Sequence, residues 1–85
     1  MVATVTVRYF AAARAAAGVD AEPVEVPVGS TVDILLKTVR TTHGDDFGRV
    51  LDRCSFLLDE VAVRDRELSL HDGALLDVLP PFAGG

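Results

Sequence analysis

Eighty-five residues, 49% hydrophobic and 25% charged, suit one small folded domain with little room for a deep active site, and exclude a disordered segment, which needs fewer apolar side chains. Thirteen acidic residues against eight basic ones, a net charge of −5, argue against nucleic acid as a partner, because that affinity rests on Lys and Arg neutralising phosphates. The single cysteine, Cys54, excludes an internal disulfide, no apolar run approaches the roughly 20 residues that cross a bilayer, and the first residues lack a signal-peptide pattern; the expectation is a cytoplasmic protein with no membrane contact.

Val2 to Phe10 alternates, with Ala3, Val5, Val7 and Tyr9 on one face and Thr4, Thr6 and Arg8 on the other, which predicts a strand with one buried side. Ala11 to Ala17 followed by Gly18 predicts a short helical connection with a left-handed cap. Val24, Val26 and Val28 alternate with Pro23, Glu25 and Pro27; prolines in the outward positions restrict this strand to an edge or to pairing on one side. Ser30 and Asp33 have capping-box spacing ahead of the stripe Val32, Leu35, Leu36 and Val39, which predicts the main helix, ended at Gly44. Phe47, Val50 and Leu51 predict a second short helical turn.

Cys54 to Leu58 predicts a strand, Asp59-Glu60 a turn and Val61 to Val63 a short partner strand. Arg64 to Glu67 reads as an exposed loop, Leu68 and Leu70 as residues returning to the core, and His71-Asp72-Gly73 as a turn. In the last strand, Ala74 to Leu79, inward Leu76 and Val78 put Leu75, Asp77 and Leu79 outside, where with Phe82 they form either an apolar partner patch or scattered exposed leucines. This order suits an α+β domain over residues 1–79, a mixed sheet with one main helix packed across one face.

The remaining residues, 80–85, read as a flexible tail. Pro80 and Pro81 stop the strand and stiffen the exit, and Gly84-Gly85, lacking Cβ atoms, can pass a channel too narrow for other residues. The tail is either an ordinary frayed terminus or a working end whose functional group is the carboxylate of Gly85. Elsewhere, Cys54 lies in an apolar run without a histidine beside it and reads as a small buried hydrophobe. His43 and His71 lack metal-ligand spacing and are expected in solvent, and the adjacent acids Asp45-Asp46 and Asp59-Glu60 read as solvated turns. No glycine-rich loop opens a helix with a lysine, so no intrinsic nucleotide site is expected; with the histidines' spacing, neither a metal nor a bound cofactor is expected.

With these pieces placed, the chain resembles the ubiquitin-like β-grasp sulfur carriers of the MoaD/ThiS family, and within it the MoaD type, the small subunits of molybdopterin synthases. The resemblance rests on Val7-Arg8-Tyr9-Phe10-Ala11, on Gly29-Ser30-Thr31-Val32 with Leu35-Leu36, on Asp72-Gly73, and most specifically on Leu79-Pro80-Pro81-Phe82-Ala83-Gly84-Gly85. Two departures are the missing Asn-Gly at Asp59-Glu60 and the bulk of Phe82 where the family commonly has valine.

The resemblance implies a cosubstrate and not an enzyme on its own. An adenylating enzyme related to ubiquitin-activating enzymes uses ATP to turn the Gly85 carboxylate into an acyl-adenylate, and a persulfide sulfur displaces AMP to leave a thiocarboxylate. The tail then enters the large subunit of molybdopterin synthase and gives sulfur to a pterin precursor. Ala83 and Gly84 would thread into that subunit, and Leu75, Leu79, Pro80, Pro81 and Phe82 would meet its surface. The alternatives are a carrier for thiazole or cysteine synthesis, a ubiquitin-like modifier that forms isopeptide bonds, and a binding module with an incidental tail.

Overall fold

The computed structural model describes residues 1–81. Strand β1, Val2–Tyr9, buries Ala3, Val5, Val7 and Tyr9 as the alternation predicts, and pairs antiparallel with β2, Ala21–Pro27. Helix α1, Ala11–Ala17, joins them and ends at Gly18, whose φ of 82° lets its N–H reach the Arg14 carbonyl. The main helix α2, Val32–His43, buries Val32, Leu35, Leu36 and Val39, and α3, Asp45–Leu51, follows across Gly44. Strands β3, Ser55–Leu58, β4, Val61–Ala62, and β5, Leu75–Leu79, complete a mixed sheet in the order β2-β1-β5-β3-β4. The proline-bearing β2 is an edge, as its sequence requires.

One face of the sheet and the three helices share a single core, in which Val5, Val7, Tyr9, Leu76 and Val78 meet Val32, Leu35, Val39 and Phe47. Burial of each such side chain contributes about 1.5–3 kcal/mol. The first and last strands run parallel at the centre, Val7 opposite Leu76 and Tyr9 opposite Val78. The Asp72-Gly73 turn fixes where β5 begins: Asp72 Oδ1 accepts the Thr4 N–H at 2.8 Å, and Gly73, at φ 84°, donates to the Thr4 carbonyl at 2.8 Å.

Four local expectations are corrected. Helix α2 is capped by Thr31, whose hydroxyl accepts the Ile34 N–H, and not by a Ser30–Asp33 box. The Ser30 hydroxyl is already donated to the Pro27 carbonyl at 2.6 Å, closing the preceding turn, and Asp33 pairs with Lys37. The next orphan donors, Val32 and Asp33 N–H, are taken by the carbonyls of Leu68 and Arg66, so the 64–70 loop completes the cap. Leu68 thus lends its backbone while its side chain stays exposed, and only Leu70 returns to the core. Val28 lies beyond the end of β2 and is exposed. Cys54 precedes β3, its N–H bonded to the Leu51 carbonyl at the end of α3.

The β3–β4 hairpin turns through Asp59 and Glu60, at φ 49° and 71°, the two positive values of a type I′ turn. That conformation costs a residue with a Cβ about 1–2 kcal/mol. Glu60→Gly is expected to raise stability by about 0.5–1 kcal/mol in urea unfolding, allowing for glycine's extra chain entropy; a loss of stability would show that the turn is unstrained.

Candidate functional site

The sheet face turned away from the helices carries Thr4, Thr6 and Arg8 from β1, Leu75, Asp77 and Leu79 from β5, and Ser55 and Leu57 from β3. The register sets Leu57 opposite Asp77 and Ser55 opposite Leu79, while Thr6 lies beside Leu75 and Arg8 beside Asp77. Leu57, Leu75 and Leu79 are each half-buried and surround one position, Asp77, which separates Leu75 from Leu79 along β5. Beyond Leu79, Pro80 is half-buried and Pro81 exposed. The candidate residues Phe82, Ala83, Gly84 and Gly85 lie outside the described residues.

Asp77, expected in solvent, is only 4% exposed. It is covered by Arg8, whose Nε and Nη2 donate to the two carboxylate oxygens at 2.6 and 2.8 Å. This bidentate pair satisfies a charge that burial would otherwise penalise. The Arg8 guanidinium also lies over the Phe10 ring, 5.7 Å from its centroid. Hydrogen bonding to Asp77 holds the Arg8 pKa above its ordinary value.

On the helix side, His43 is a correction. Its side chain is 13% exposed and not solvated, with Nε2 at 2.5 Å from Glu22 Oε2. The Tyr9 hydroxyl donates to the same oxygen at 2.5 Å, and the Tyr9, His43 and Phe47 rings pack together. Burial, then the hydrogen bond to Glu22, push the Tyr9 phenol far up. For Glu22 burial works to raise the pKa, but the bonds from His43 and Tyr9 outweigh it and leave the carboxyl below its ordinary range. The network ties β1, β2 and the end of α2 together. Its signal was parity, since Glu22 falls on the inward face with Val24 and Val26.

Glu22→Gln is expected to cost about 1–2 kcal/mol near neutrality, from weakened charge-assisted bonds. Because the folded pKa is depressed, the contribution is present above 4.5 and lost as pH falls through the folded value, so wild type and variant should converge in acid. A gap in thermal stability that persists at low pH would contradict this.

His71 is exposed, as expected, but paired: its Nε2 lies 2.7 Å from Asp59 Oδ2, while Asp59 Oδ1 accepts the Leu75 N–H at 3.0 Å. These bonds hold Asp59 below its ordinary range. The hydrogen bond to Asp59, then that to the Asp72 carbonyl, raise the His71 pKa, so its stabilising contribution is present below 6.5 and lost as pH rises through the folded value. In an NMR titration His71 should have its midpoint above 6.5, and Asp59→Asn should return it toward that value; an unmoved midpoint would remove Asp59 as the cause.

Cys54 donates its thiol to the Val50 carbonyl, and burial pushes its pKa up, which suits packing and not nucleophilic work. Asp46 pairs with Arg49 on the surface, and Asp59 belongs to the hairpin turn. Among the described residues no group of three or more His, Cys, Asp or Glu side chains is arranged to hold a metal ion. No helix among them is long and apolar enough to cross a membrane. Among the described residues, the open face therefore presents three half-buried leucines around the Arg8–Asp77 ion pair.

Comparison with known proteins bears on the family and the fold. The family model described as ThiS family matches residues 7–85. A Chlamydomonas reinhardtii protein named molybdopterin synthase sulfur carrier subunit is 34% identical over 83 residues, 95% of this chain and 98% of that one. Among solved structures, a Pyrococcus furiosus chain described as subunit 1 of a molybdopterin converting factor superposes with a TM-score of 0.85 at 30% identity, covering 94% of this chain and 99% of that one. The small archaeal modifier SAMP1 of Haloferax volcanii superposes with a TM-score of 0.80 at 26% identity, covering 96% of this chain and 99% of that one.

Proposed function

This chain belongs to the ThiS family, and we propose on that premise that it is a sulfur carrier acting as the small subunit of a molybdopterin synthase. The observation that carries the reading is the placement of β5. It is locked between β1 and β3 and ends at Leu79 beside an apolar face, so the tail starts from the rigid centre of the sheet. The name of the Chlamydomonas relative supports the assignment to molybdopterin synthesis.

In this reading an activating enzyme joins the Gly85 carboxylate to AMP from ATP, releasing pyrophosphate. A carboxylate is a poor acyl donor, and adenylation supplies its leaving group. A persulfide sulfur displaces AMP, and a thiol cleaves the remaining S–S bond to leave a thiocarboxylate. The large synthase subunit then takes up Ala83, Gly84 and Gly85, while Leu57, Leu75, Leu79, Pro80, Pro81 and Phe82 meet its surface. The chain itself holds no cofactor in this scheme, and its buried free thiol suits the reducing cytoplasm. The acidic surface, net charge −5, speeds encounter with basic partner surfaces.

The test is binding to the large subunit of the same host's synthase. Phe82→Asp and Leu57→Ser should each keep the native circular dichroism and lower affinity at least about tenfold, because a polar group enters an apolar contact. Undiminished binding would remove these residues from the interface. A second reading, a protein modifier, is favoured by the similarity to SAMP1. It predicts adducts on partner lysines that survive denaturing gels and contain the intact Gly-Gly end.

A further inference from the structure

The centre of the open face is not apolar. Leu75 and Leu79 lie on either side of Asp77 along β5, Leu57 lies opposite it, and Arg8 covers it from β1. An ion pair in the middle of a docking face is costly to desolvate unless the partner completes its hydrogen bonding. The pair is also asymmetric. The carboxylate is the buried member, its side chain 6% exposed, and the guanidinium the outer one at 42%. Asp77 takes Nε and one N–H of Nη2, and the other N–H groups of Arg8 meet no acceptor among the described residues. Asp77 on one side and the Phe10 ring on the other fix the guanidinium, which lowers the entropy cost of using it.

We propose that Arg8, oriented by Asp77, is a specificity contact that recognises a carboxylate set between apolar side chains on the large synthase subunit. The assignment rests on the carrier reading above and names the chemistry of its docking surface. The rest of the chain supplies the discrimination. A net charge of −5 repels acidic surfaces in general, so an acidic side chain is welcome at the Arg8 position and disfavoured around it. Asp77 makes the contact a positioned one, because a lysine at residue 8 would offer one compact ammonium to two acceptors in place of a planar fork.

The experiment compares wild type with Arg8→Lys and with the double variant Arg8→Leu/Asp77→Val, titrated calorimetrically into the same host's large subunit. The double variant removes both charges together, so no buried carboxylate is left unpaired. Its affinity is expected to fall at least about tenfold, with a smaller fall for Arg8→Lys. As a measurement independent of the variants' folding, the free guanidinium N–H resonances of wild-type Arg8 should shift and exchange more slowly with water in the complex. A folded double variant binding within about twofold of wild type, or unperturbed Arg8 resonances, would overturn the proposal while leaving the carrier reading intact. Failure of the wild-type protein to bind the large subunit would overturn both.

Discussion

The parallel pairing of β1 with β5 is the constraint on which the rest of the structure depends. It brings strands from opposite ends of the sequence side by side at the sheet centre, with Val7 beside Leu76 and Tyr9 beside Val78. Parallel neighbours require a long crossover, and everything between them, from α1 to β4, serves as that crossover. The pairing also fixes the end of β5. A strand held on both sides and buried on its helix face cannot fray, so whatever follows Leu79 begins from a fixed point. Truncating Leu76 or Val78 would open a cavity at this seam and cost about 2–5 kcal/mol, a large share of the stability of so small a domain.

The two faces of the sheet do different work with similar parts. On the helix side, Tyr9, Glu22 and His43 form a polar cluster closed by its own members and packed against Phe47. It reinforces the fold and offers little outward. On the open side, Arg8 and Asp77 form a pair whose buried half is satisfied and whose outer half is partly exposed. The same alternation along β1 produces both, Tyr9 inward and Arg8 outward. The open face is therefore apolar at its edges and charged at its middle.

Much of this was legible in the sequence because it is local. Alternation fixed the buried face of β1, prolines marked β2 as an edge, the α2 stripe identified its core side, and Gly18 and Gly44 ended their helices. What escaped depends on distant segments. Ser30 looked like the better cap, yet its hydroxyl goes back to Pro27 and the cap is finished by carbonyls from Arg66 and Leu68. His43 looked solvated because Glu22, 21 residues earlier, is invisible to local pattern. Asp77 looked like an exposed charge because its partner lies 69 residues away. Of the candidate site, Leu75 and Leu79 were legible from parity, whereas Leu57 needed the β3–β5 register. The Pro-Pro and Gly-Gly ending was legible as a motif.

The proposed sulfur carrier depends on the carboxylate of Gly85. The most direct measurement is the intact mass of the chain after incubation with its host's activating enzyme, ATP and a persulfide source, beside the same chain lacking Gly85. A gain equal to exchanging one oxygen for sulfur, confined to the full-length chain, is the expected result. No gain, from an activating enzyme shown to be competent on another carrier, would contradict it.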